Sequence, residues 1–150
     1  MTYTSKLPDQ PSALIRLALG DLQKCMADPV YKIDMRHWHM PADDESNCSV
    51  CLAGAVLAQT FKMLPSTLIH NLHYYLSDPN DSDKLAALDD FRTGDLVDGL
   101  IVMGFDPQGN SALDGMGQLN GGLAPFDADD PKIFFDDMNT IADALERCGY

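Results

Sequence analysis

A chain of 150 residues with 45% hydrophobic and 8% aromatic residues can bury a core of its own, which excludes a disordered segment or a disulfide-stapled miniature. Its formal charge of −13, from 21 Asp and 2 Glu against 10 Lys and Arg, repels phosphate backbones and anionic lipid, so no direct nucleic-acid or membrane partner is expected. The charge is lopsided: residues 1–77 carry 7 acids and 6 basic residues (net −1), residues 78–150 carry 16 and 4 (net −12).

In chain order, Met1 to Pro8 is polar, so neither signal peptide nor membrane anchor is expected. Four cysteines at the uneven positions 25, 48, 51 and 148 do not look like a disulfide framework, and together these features place the chain in a reducing cytoplasm. Residues 11–27 read as a first helix, with Ile15, Leu19, Leu22 and Met26 at helical spacing, Pro11 and Ser12 at its start and Asp28-Pro29 at its end. Cys25 beside this stripe reads as a small core side chain. Tyr31 to Met40 reads as one extended segment ended by Pro41, with only partial alternation. A polar acidic loop from Ala42 to Asn47 follows.

The organising stretch comes next. From Val50 to Ala58 there is no charged, amide or hydroxyl side chain, so a helix here has no face to turn to water. It is too short to span a bilayer, which needs about 20 apolar residues. The expectation is a buried central helix of about residues 48–62, N-capped by Ser46 or Asn47, with Gly54 admitting a neighbouring backbone. A shorter helix from Ser66 to about Leu76 should turn Leu68, Ile69, Leu72 and Tyr75 inward. Residues 78–83 read as a turn-rich boundary, and 85–91 and 95–103 as two helices broken near Thr93-Gly94, the second with Leu96, Leu100 and Met103 as its stripe. Residues 105–126, with five glycines, read as a long loop. The last helix, about 129–148, is capped by Asp129 or Asp130 with Pro131 in its first turn. It buries Phe134, Met138, Ile141, Leu145 and Cys148, turns Asp136, Asp137, Asp143 and Glu146 largely to water, and ends at Gly149. The fold expected is mainly α, a single-domain helical bundle around the buried central helix, with at most a minor β element near 31–40.

Several constellations bear on chemistry. Cys48-x-x-Cys51 near a helix start lies within reach of amide dipoles that lower a thiol pKa, the setting for redox exchange, although the mostly helical surroundings lack the βαβ context that such a motif wants. His37-x-His39 with Cys48 and Cys51 offers two imidazoles and two thiols, the ligand set of a structural zinc site. Against zinc, the spacing is not that of a known finger, and Cys51 leads straight into the apolar helix. Small-space packing of both thiols, with Trp38 nearby, accounts for the same residues. Asp78-x-Asn80-x-Ser82, with Asp89 at the twelfth place, begins like a calcium loop but has Asp83 where the turn glycine belongs, and a helix N-cap explains it better. Gly115, Gly117, Gly121 and Gly122 do not make a phosphate cradle, because no basic residue lies between Arg92 and Lys132. His70 and His73 beside Tyr74 and Tyr75 read as helix packing.

Asp34-Met35-Arg36-His37-Trp38, followed after a short insert by Cys48-Ser49-Val50-Cys51-Leu52-Ala53-Gly54, resembles a pattern of small uncharacterised phage and bacterial proteins. In that pattern Asp-Met-x-x-Trp precedes Cys-x-x-x-Cys and Ile/Leu-Ala-Gly. Here the cysteine gap is two residues, and Ser-Val stands where Gly-Thr is usual. The likeness covers about residues 30–60 and implies a small cytoplasmic protein, phage-encoded or bacterial, whose tryptophan and cysteines meet around one helix.

With no catalytic set legible, the sequence reads as a binding protein. Its acidic second half, including Asp129, Asp130, Asp136, Asp137, Asp143 and Glu146, would engage a basic protein surface. That surface is expected to be the nucleic-acid-binding site of a host factor, which the carboxylates imitate and inhibit. The alternative is a zinc or thiol protein built on His37, His39, Cys48 and Cys51. An enzyme whose residues converge only in three dimensions stays open, as does the oligomeric state.

Overall fold

The computed structural model describes residues 5–43, 47–67, 76, 78–107, 110–113, 116 and 130–150. Among these it is mainly helical, with a small three-stranded sheet. The elements are α1 (Pro11–Ala27), β1 (Tyr31–Ile33), β2 (His39–Pro41), β3 (Cys48–Val50), α2 (Leu52–Gln59), α3 (Pro79–Thr93), α4 (Leu96–Val102), a 3-10 turn (Ser111–Leu113) and α5 (Pro131–Arg147). No described helix is long and apolar enough to cross a membrane.

Helix α1 starts at Pro11, whose missing N–H costs nothing in a first turn. Its inward face carries Leu14, Ile15, Ala18, Leu22 and Cys25. The expected stripe is shifted at its end: Cys25 is buried and Met26 is exposed, because the helix packs against both α2 and α5 and so buries a broader face. The C-terminal residue closes this packing. The Tyr150 carbonyl accepts the backbone N–H and the hydroxyl of Ser12, each at 3.2 Å, so an otherwise orphaned donor of α1 is satisfied by the far end of the chain.

The central segment divides into strand and helix. Cys48–Val50 is β3, pairing in parallel with β1 (Tyr31 opposite Cys48) and antiparallel with β2 (His39 opposite Val50). The sheet order is β1-β3-β2. The expected helix of 48–62 is thus corrected to Leu52–Gln59. Its first residues have two strand partners waiting to take their backbone groups, and tertiary pairing outweighs local propensity over so short a run. The single extended segment of 31–40 is likewise two strands, separated by a turn in which Asp34 accepts the Arg36 backbone N–H. Helix α2 is as apolar as expected: every residue from Leu52 to Ala58 is buried, against α1 on one side and α3 on the other.

The boundary expected at 78–83 is in fact the first turn of α3. Asp78 caps it by accepting the Asn80 N–H at 2.9 Å, and Pro79 occupies N1. Helix α3 ends at Gly94, whose φ of 88° lies in the left-handed region that favours glycine. Chain direction then reverses into α4, which sits close on α3 because Gly99 has no side chain. A Cβ there would lie 2.5 Å from the ring of buried Phe91. Helix α5 begins with Asp130 at the N-cap and Pro131 at N1, and buries Phe134, Met138, Ile141 and Leu145. The helix expected at 66–76 and most of the loop at 105–126 lie outside the described residues.

Candidate functional site

The imidazole–thiol corner is built by the sheet. Pairing of β2 with β3 places His39 against Cys48, with Cys48 Sγ 3.5 Å from His39 Nδ1 and 3.8 Å from Nε2. The Thr67 carbonyl, which can only accept, lies 2.8 Å from Nδ1 and fixes the proton there. Burial pushes the His39 pKa below its ordinary value, so the ring is held neutral. Burial also pushes the Cys48 thiol up to about 11.

Cys51 and His37 point elsewhere. Cys51 is the N-cap of α2, its Sγ accepting the Gly54 N–H at 3.4 Å, and burial pushes this thiol up to about 11 as well. His37 Nε2 lies 3.7 Å from Asp34. Asp34 itself is held down at about 2, chiefly by the Arg36 guanidinium that grips both its oxygens at 2.9 Å. The structure therefore brings His39 and Cys48 together and leaves His37 and Cys51 apart from them. Among the described residues no group of three or more His, Cys, Asp or Glu side chains converges on a metal position. The helix dipole was expected to lower the thiol pKa values, but desolvation outweighs it for both cysteines.

The carboxylates of α5 are engaged to different degrees. Asp130 caps the helix and Asp136 pairs with Lys132 at 2.7 Å. Asp143 and Glu146 both reach Arg16 of α1, at 2.8 and 2.7 Å. Asp137 is half-buried, and Asp129 lies outside the described residues. These ion pairs are at the surface, where each contributes about 0–1 kcal/mol, so an incoming cation can compete for them.

A second acidic face lies at the α3–α4 corner and was not singled out from the sequence. The reversal at Gly94 brings Asp90, Asp95 and Asp98 together. Asp98 binds its proton more tightly than an ordinary aspartate, first because of the Asp95 charge and then because the two side chains hydrogen-bond. Asp90 is raised by burial and by Asp95, Asp89 and Asp98. Asp89 has a partner in Arg92 at 3.0 Å, whereas no described cation pairs with Asp90, Asp95 or Asp98. Beside these acids Val97, Ile101 and Val102 stand 43%, 55% and 38% exposed. The signal was present in the sequence: Leu96 and Leu100 supply the inward face of α4, and the remaining apolar residues of the same helix must then point outward.

No protein-family model, curated protein or solved structure matches this chain.

Proposed function

We propose that the protein acts by binding a basic surface of another protein through its acidic second half. That surface is the nucleic-acid-binding site of a host factor, which the carboxylates imitate and thereby inhibit. The observation that carries the reading is the α3–α4 corner, where the Asp95 charge raises the proton affinity of Asp98 and adds to the effect of burial on Asp90, without a described cation to relieve them. A cationic partner would relieve that repulsion, and the exchangeable pairs along α5 would extend the contact. On this reading the domain is a cytoplasmic bundle organised on α2 that keeps the carboxylates of the α3–α4 corner and of α5 largely outward. The burial of α2 between α1 and α3 supports that architecture.

The test is affinity capture from the native cell with elution by rising salt, comparing the natural chain with one carrying Asp90→Asn, Asp95→Asn and Asp98→Asn and one carrying Asp136→Asn, Asp137→Asn and Asp143→Asn. A partner that elutes with salt and is lost from either variant supports the reading. Capture indifferent to both variants and to salt overturns it.

A second reading, a zinc or thiol protein on His37, His39, Cys48 and Cys51, draws support from the 3.5 Å approach of Cys48 to His39. Metal analysis of protein purified without chelator, with a thiol count, separates the two readings.

A further inference from the structure

Helix α4 is apolar on both sides, which a helix at a protein surface ordinarily is not. Leu96, Gly99 and Leu100 are consumed by the core, yet Val97, Ile101 and Val102 stand in water. Val97 and Ile101 are four residues apart and therefore adjacent on the helix. Val102 continues the stripe into a cleft of about 270 Å³, with Met103 and Phe105 on its apolar wall. Asn80 and Asp83 from the first two turns of α3, together with Asp9 and Lys84, form its polar lining. Lys84 in the same wall is almost fully buried. Its ammonium donates to Ser5 Oγ, to the Leu7 carbonyl and to Asp9 at 3.1, 3.0 and 2.8 Å, so its charge is spent inside the protein.

The cleft is smaller than the about 300–1,000 Å³ of ordinary small-molecule sites and its lining is mostly polar, so it suits one basic side chain of a larger partner. The stripe has carboxylates at both ends, Asp95 and Asp98 at one and Asp83 at the other, and no described cation pairs with any of the three. An apolar strip framed in negative charge is complementary to a helix with an apolar face and flanking Lys or Arg. It is poorly matched to a second copy of this chain, which would set aspartate against aspartate, and to an anionic membrane.

We propose that the outward face of α4 and the adjoining cleft seat a cationic amphipathic helix of the protein partner. The apolar side chains of that helix lie on Val97 and Ile101, one basic side chain enters the cleft toward Asp83, and further basic residues lie over Asp95 and Asp98. This rests on the reading of a basic partner given above and adds to it the form of the partner and the place where it docks.

The probe is an 18-residue leucine–lysine peptide patterned with one apolar face, beside a scrambled peptide of the same composition that has none. Both are titrated calorimetrically against the full chain at low and high salt. The natural chain is expected to bind the patterned peptide at least tenfold more tightly than the scrambled one, with amide shifts at Met103 and Phe105. Val97→Gln and Ile101→Gln, both at exposed positions, should abolish that preference and leave salt-dependent binding of the scrambled peptide intact. Thermal melts confirm that the variants are folded. Equal binding of the two peptides, or a preference indifferent to Val97→Gln and Ile101→Gln, overturns the inference while leaving a basic partner in place. Failure to bind either peptide at low salt overturns both. Self-association through Ile101, or binding of neutral phosphatidylcholine vesicles abolished by Ile101→Gln, also overturns it by assigning the face to another occupant.

Discussion

The carbonyl oxygen of Trp38 sits against Gly54 so closely that a Cβ at position 54 would lie 1.3 Å from it. This contact presses the segment leading into β2 against the first turn of α2 and leaves no side chain between two backbones. Gly54→Ala has no soft neighbour to displace, since the obstacle is main chain. The substitution is expected to cost about 3 kcal/mol or more in denaturant unfolding. Gly20→Ala is the counterpart on α1, where nothing lies within 4 Å of the added carbon. It should stabilise by about 0.5–1 kcal/mol. Similar effects from the two substitutions would refute the contact.

Asp21 is buried on α1 and accepts the Thr60 hydroxyl at 2.6 Å across the α1–α2 interface. Burial raises its pKa and the Thr60 hydrogen bond opposes the rise. Thr60→Val leaves the carboxylate short of a donor and should cost about 1–3 kcal/mol at neutral pH. The same variant should titrate Asp21 at a still higher pH, which carboxylate NMR would report.

His39 gives stability a dependence on pH. Its folded pKa lies below the unfolded value of about 6.5, so between the two values the unfolded chain binds more protons. Stability must therefore fall as pH falls through that window, by at most about 1.4 kcal/mol per pH unit from this group. Denaturant titrations at a series of pH values should show the slope in the natural chain and its loss in His39→Gln.

How much of this was legible beforehand differs by element. Helices α1 and α5 announce themselves because a long amphipathic period survives local noise, and Pro131 after two aspartates marks the start of α5 to within one residue, the cap being Asp130. The close approach at Gly54 was also readable, since a glycine amid six buried neighbours in its helix has few other uses. Strand β3 was not. Three residues carry no measurable alternation, and what makes Cys48–Val50 a strand is its pairing with β2 and with β1, whose residues lie 17 positions earlier. Residues 78–83 read both as a boundary and as a helix N-cap, because Asp-Pro-Asn signals a turn and a cap equally well, and Asp78 is the cap. The acidic corner was hidden for a third reason: Asp90 meets Asp95 and Asp98 only through the left-handed Gly94, which sequence spacing does not encode.

The pairs that tie α1 to α5 separate structural from partner-binding carboxylates. Arg16 is gripped by Asp143 and Glu146 at the surface, where solvent screens the attraction. Asp143→Asn or Glu146→Gln should each change unfolding stability by less than about 1 kcal/mol. Losses in partner capture from these variants would then report the contact itself. A larger loss of stability would show that α5 depends on them to dock.

The most direct test of the central claim is to titrate the Asp90 and Asp98 carboxyl carbons by NMR, in the chain alone and with the patterned leucine–lysine peptide at saturation. In the free chain both should protonate above the ordinary aspartate value, Asp90 through burial and then its acidic neighbours, and Asp98 through the Asp95 charge. With the peptide bound both midpoints should drop, because a cation has taken the place that no described side chain fills. Midpoints unmoved by the saturating peptide would contradict the account, since the charge would then be meeting its partner somewhere else.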